Sequence, residues 1–149
     1  MTIRRLGVGD EEVAEAAVLL FAEESSSLPI DVGAFLARPE AVLFVAYDED
    51  SLAGWVYGQE LVHPDGERTM LLYALDVDEP FHRRGHGRGL VMAFVDLARS
   101  TGCTEVWVLT DDGNPAALAT YASAGGARES EASVMFTWPL AKGREAGLE

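Results

Sequence analysis

Seven consecutive residues, Arg83-Arg84-Gly85-His86-Gly87-Arg88-Gly89, combine the two properties that bind a phosphate. Arginine offers forked donors that match phosphate oxygens. Glycine lets a ligand approach backbone N–H groups without side-chain obstruction. The turn follows an apolar segment ending in Leu75-Asp76-Val77 and precedes the stripe Leu90, Val91, Phe94, Val95 and Ala98. Strand, glycine turn and helix in that order aim free N–H groups and a helix dipole at an anion. The chemistry predicted is a diphosphate cradle made by Arg83, Arg84, Gly85, His86, Gly87, Arg88 and Gly89. The plainer alternative is a glycine-rich connection with solvated arginines. A Walker A loop needs Lys and then Ser or Thr after its last glycine, and Leu90-Val91 follows here. A dinucleotide fingerprint is spaced Gly-x-Gly-x-x-Gly, unlike Gly85-x-Gly87-x-Gly89.

Other groups could join this chemistry. Tyr121 is either a packed aromatic or a proton donor. Asn114 precedes Pro115, so it can cap a helix there. Asp76, Glu60, Asp111 and Asp112 are candidates for a general base and for holding a cationic substrate; each could equally be a solvated acid. A water-mediated base is also open. His63, His82 and His86 show no pairing at metal-ligand spacing with a third ligand, so no metal is expected. Cys103 has no His or Asp/Asn constellation around it and reads as a small buried hydrophobe.

The whole chain bounds these readings. It has 149 residues, 48% of them hydrophobic, which predicts one domain over 1–149 with its own core. A single cysteine cannot form an internal disulfide. The formal net charge is −14, which opposes nucleic acid and anionic membranes and attracts cations. Acidity can also serve solubility alone. No segment approaches the roughly 20 apolar residues of a membrane span. Arg4 and Arg5 are followed by acids rather than by an apolar run, so no signal peptide is read and the cytoplasm is the expected location.

Periodicity supplies the elements that must position the site. Thr2–Leu6 opens as a strand. A helix capped by Asp10 runs to about Glu24, and a second spans Ile30–Arg38 before Pro39. Ala41–Tyr47 and Leu52–Val62 form a hairpin across Asp48-Glu49-Asp50-Ser51. Thr69–Val77 reads as a central strand because it is apolar on both faces. Glu79–Arg84 is a loop, Gly87–Ser100 a helix closed by Gly102, and Glu105–Thr110 a strand. Pro115 starts a helix to about Ala124, and Ser133–Leu140 is a last strand before a tail frayed after Ala141. The order β-α-α-β-β-β-α-β-α-β is an α+β, or mixed α/β, domain.

Arg84-Gly85-His86-Gly87-Arg88-Gly89 resembles the Gln/Arg-x-x-Gly-x-Gly/Ala pattern of the GCN5-related N-acetyltransferase (GNAT) superfamily. A second family pattern is matched by Asn114, Ala117, Tyr121 and Gly125, with Gly126 where the family usually has Phe. The resemblance implies a mostly antiparallel sheet of about six to seven strands flanked by about four helices. It implies acetyl-CoA as cosubstrate, with Leu75 and Val77 receiving the pantetheine arm and acetyl carbonyl. Asn114 would contact the pantetheine arm and Tyr121 the departing thiolate. Within the superfamily, Leu72–Leu90 and Asp111–Tyr121 are similar to the gentamicin/fortimicin type of aminoglycoside 3-N-acetyltransferase. That group commonly carries an acid where this chain has Ala74; Asp76, two residues on, shares its strand face and can replace it. The expected partners are acetyl-CoA and a cationic small-molecule amine, an aminoglycoside first, with no nucleic acid or membrane; a homodimer is left open. Alternatives are a polyamine or a protein or peptide amine as acceptor, a non-catalytic acyl-CoA-binding module, and a nucleotide-binding regulator.

Overall fold

The computed structural model describes residues 1–22 and 29–140. The predicted end of the first helix near Glu24 and the tail after Ala141 lie outside these residues. Five strands form one sheet: β1 (Thr2–Arg5), β2 (Ala41–Asp48), β3 (Ser51–Val62), β4 (Arg68–Val77) and β5 (Glu105–Trp107). Their spatial order is their chain order. The first four pair antiparallel, and β5 joins β4 in parallel. Four helices accompany them: α1 (Glu11–Phe21), α2 (Val32–Leu36), α3 (His86–Ser100) and α4 (Pro115–Ser123). The parallel β4–β5 step needs a crossover, and α3 supplies it.

Each sheet face buries a separate core. Val42, Phe44, Val56, Met70 and Leu72 meet Leu90, Val91, Phe94 and Ala98 of α3. Leu43, Val45 and Trp55 meet Ala14, Ala17 and Leu36 of α1 and α2 on the other face. Successive strand residues alternate between faces, so both cores draw on β2 and β3.

Several expectations need correction. The segment Ser133–Leu140 is irregular. Val134, Phe136, Trp138 and Leu140 do alternate, yet each is at least 74% exposed. Alternation cannot make a strand unless a neighbour takes its backbone hydrogen bonds; β5, the adjacent edge, is only three residues long. The sheet therefore has five strands among the described residues, fewer than six to seven. The strand expected to reach Thr110 stops at Trp107, and β4 is interior while β3 holds the middle. The loop at Glu79–Arg84 holds a short 3-10 turn, Glu79–Phe81. Asp10 stands at the N-cap position, but its carboxylate accepts from Gly7 N–H (2.8 Å) and pairs with Arg4 rather than capping a helix amide.

Candidate active site

The site begins where β4 loses its neighbour. β5 pairs only with Thr69, Met70 and Leu71, so Leu72–Val77 has no strand on that side among the described residues. Register shows which groups face the opening. Asp78 N–H donates to the Ala53 carbonyl at 2.8 Å. In an antiparallel pair, hydrogen-bonded and non-hydrogen-bonded positions alternate. Gly54↔Val77 and Val56↔Leu75 are therefore non-hydrogen-bonded pairs, and the N–H groups of Leu75 and Val77 point away from β3 into the gap. His82 folds back so that its Nε2 donates to the Val77 carbonyl at 2.7 Å, since a carbonyl can only accept.

The open edge runs into the glycine turn. Gly85 is the N-cap of α3, with φ 86°, a left-handed conformation that glycine adopts without strain. No side chain caps the first amides of this 15-residue helix, so they remain donors for an anion. Gly87 and Gly89 also lie close to neighbouring elements. A Cβ on Gly87 would lie 3.3 Å from Thr120 Cγ2 of α4, and one on Gly89 would lie 2.9 Å from Ile3 Cδ1 of β1.

The arginines divide similarly. Arg83 holds φ 65° and is exposed. Arg84 donates to Asp48 Oδ2 at 3.3 Å and lies over the Phe81 ring, 5.7 Å from its centroid. Arg88 donates through Nε to the Ser123 carbonyl at 2.9 Å, tying α3 to the end of α4.

The residue that organises the turn is Asp48, which the sequence pattern placed in the hairpin turn after β2. Its Oδ2 accepts from His86 Nε2 at 2.9 Å as well as from Arg84. His86 is only 2% exposed, and its ring makes the contact to Asp48. Its Nδ1 is buried without a partner among the described residues. The His86 hydrogen bond, reinforced by Arg84, holds the Asp48 carboxyl below its usual value. The only sequence signal for Asp48 is its position as the last residue of an apolar strand.

Asp76 and Tyr121 lie within electrostatic reach of each other. Asp76 is exposed, and its Oδ2 accepts from the indole N–H of Trp55 at 2.9 Å. Burial, and then the negative charge of Asp76, keep the Tyr121 hydroxyl above its usual value. Tyr121 is thus a protonated phenol at neutral pH. Asn114 caps α4 by accepting from Ala117 N–H at 3.1 Å. Asp111 folds onto Gly113 N–H (2.7 Å), and Asp112 pairs with Arg128 (2.7 Å). Glu60 stands toward the opposite end of β3, in register with Met70 and 3.7 Å from Arg68 Nη1. The structure therefore packs Leu75, Val77 and Tyr121 against the α3-side core, holds the Asp76 carboxylate on Trp55 and leaves Glu60 apart. Among the described residues, no group of three or more His, Cys, Asp or Glu could hold a metal ion. No helix among them is long and apolar enough to cross a membrane.

A sheet that opens at one strand end, with a glycine-started helix at the opening, is the frame of an acyl-group transferase. The chain belongs to the acetyltransferase (GNAT) family, whose sequence model matches residues 5–125. Its structure is similar to that of meta-AAC0020, an aminoglycoside acetyltransferase from an uncultured soil metagenomic sample, solved in complex with sisomicin. The TM-score is 0.84 at 25% identity, covering 93% of this chain and 95% of that one. It shares its fold with AAC(6')-Iy, solved with a CoA-linked bisubstrate analogue, at TM-score 0.75 and 17% identity over 93% and 98% of the two chains. A mycothiol acetyltransferase of Saccharopolyspora erythraea is 31% identical over 83 residues, 56% of this chain; the match spans only 26% of that longer protein.

Proposed function

We propose that this protein transfers an acetyl group from acetyl-CoA to an amine of a polycationic small molecule, an aminoglycoside, at the 3-amino nitrogen. One observation carries the reading. The unpaired edge of β4, with Leu75 and Val77 N–H facing the gap, leads directly to the uncapped start of α3. A pantetheine arm has amide groups that suit a strand edge, and its diphosphate suits a helix N-terminus. The α3 amides, Arg83 and Arg84 would hold the diphosphate, with Asp48 keeping Arg84 and His86 in place. Acetyl-CoA supplies an activated thioester.

The remaining steps fall to this chain. Val77 N–H would polarise the acetyl carbonyl as charge builds on its oxygen. Asp76 would hold the acceptor ammonium and take its proton, directly or through water, so that a neutral amine attacks. Tyr121, kept protonated by burial and by Asp76, would give its proton to the departing thiolate. The net charge of −14 draws a polycation toward the site. The 25% identity to meta-AAC0020 across nearly the whole chain supports an aminoglycoside acceptor.

The test is an acceptor screen with acetyl-CoA, read as release of CoA thiol and as one added acetyl group by mass. Acetylation of sisomicin- or gentamicin-type amines supports the reading, and NMR of the product locates the nitrogen. Turnover only with polyamines or peptides would replace the acceptor. Binding of acetyl-CoA with no turnover on any amine would leave a non-catalytic acyl-CoA-binding module.

A further inference from the structure

We propose that Tyr73 and Tyr57 form an aromatic platform for the acceptor beside Asp76, and that this platform selects amines carried on a saturated ring over linear polyamines. The inference deepens the acetyltransferase reading and rests on it.

The platform comes from a β-bulge. Tyr57 pairs with Ala74 and the next residue, Gly58, with Leu72, so Tyr73 is the extra residue of β4. A bulge re-aims the side chains on either side of it. Leu72 is 1% exposed and joins the core under α3, whereas Tyr73 is 66% exposed. The Tyr73 ring lies 5.6 Å from that of Tyr57. Gly58 is required opposite the bulge, because a Cβ there would sit 1.9 Å from the Leu71 carbonyl oxygen.

The platform is held from beneath. Tyr57 meets Trp55 edge-on at 4.9 Å and Phe35 of α2 edge-on at 5.8 Å. Phe21 of α1 lies 5.7 Å from Trp55. Trp55 in turn fixes the Asp76 carboxylate through its indole N–H. One aromatic stack thus ends in solvent at Tyr73 and in a carboxylate at Asp76. Burial, and then the nearby Tyr73 and Asp76, raise the Tyr57 hydroxyl above its usual value.

A lone exposed aromatic would need no explanation. Tyr73 differs because a bulge places it and a partly buried aromatic stack, anchored on the buried Trp55, supports it. An aromatic face attracts a cation and packs against C–H groups. A saturated sugar-like ring can lay its C–H face on Tyr73 while its ammonium reaches Asp76. A linear polyamine has no such face and must freeze more bonds to make the same contact.

The experiment measures kcat and KM for sisomicin and for spermidine, with the acetyl-CoA KM in parallel. It uses the wild type, Tyr73→Phe, Tyr73→Ala and Tyr73→Leu; the last keeps bulk without an aromatic face. Tyr73→Ala and Tyr73→Leu should raise the sisomicin KM roughly three- to thirtyfold. Spermidine and acetyl-CoA KM should stay within about twofold in every variant, and Tyr73→Phe should match the wild type. An unchanged sisomicin KM, or an equal rise for both amines, overturns the platform. A wild type that prefers spermidine overturns the ring selection while the acetyltransferase reading stands. A wild type that acetylates no amine ends both.

Discussion

His86 and Asp48, 38 residues apart in the chain, share a 2.9 Å hydrogen bond that fastens the start of α3 to the end of β2. The same carboxylate oxygen holds Arg84. The glycine turn is thereby fixed by a strand on the far side of β3, and Arg84 is held by the same carboxylate.

Replacing Asp48 should therefore damage donor binding. Asp48→Ala removes both contacts and should raise the acetyl-CoA KM on the order of tenfold, with kcat at saturating donor little changed. Asp48→Asn keeps an acceptor for His86 and should lose less. Unaltered donor KM in a folded Asp48→Ala protein would remove this role.

Asp48 also predicts an acid limb in stability. Its folded pKa is depressed, so its contribution is complete above the usual value of 3.8 and is lost as pH falls below it through the folded value. Thermal unfolding of Asp48→Asn should show a flatter fall with acid than the wild type below about pH 4. Parallel curves would contradict this.

Tyr121→Phe keeps the ring and removes the proton. Turnover should fall by roughly ten- to ten-thousandfold with donor affinity nearly intact. Because the Tyr121 pKa is raised from its usual 10.0, ionisation of this group should reduce wild-type activity only above pH 10. Normal turnover in Tyr121→Phe would assign the residue to packing and the acid role to water.

Asp76→Asn should raise the KM of a polycationic acceptor and flatten its dependence on salt, since screening weakens only the interaction that is still present. Asp96, whose side chain is 65% exposed on α3 and paired with Arg99, is the control. Equal effects from Asp96→Asn and Asp76→Asn would mean that overall charge, not the site, captures the acceptor.

Two glycines should respond differently to alanine. Gly58→Ala forces a Cβ into the backbone of β4 and should cost more than about 3 kcal/mol. Gly89→Ala meets only the ends of Ile3 and Met1, and the gain in helix propensity offsets the contact, for a change within about 1 kcal/mol. Chemical denaturation of both variants checks the contrast.

What the sequence revealed follows the range of its signals. The hairpin, α3 and the Asn114 cap are written in local periodicity and capping chemistry, and each was legible within a few residues. The glycine turn was legible as a motif, but the division of labour within it was not. Gly87 and Gly89 answer to Thr120 and Ile3, which are distant in the chain. Asp48 looked like one more acid in a polar turn, because its partners lie 36 and 38 residues away. The bulge at Tyr73 left no mark, since a single extra residue does not disturb an apolar run. Ser133–Leu140 misled for the opposite reason: its alternation is a local signal, and pairing is not local.

The gap beside β4 has a consequence for handling the protein. Backbone groups left unpaired along a strand can template any other extended chain. Among the described residues Leu72–Val77 has no strand partner on that side, with only the Val77 carbonyl taken by His82, so the stretch that would receive the donor is also where two molecules can begin to aggregate. A ligand lying along that edge completes the hydrogen bonding and removes the template. Ligand-loaded protein should keep longer at high concentration than empty protein, and storage with CoA becomes a practical route to crystals.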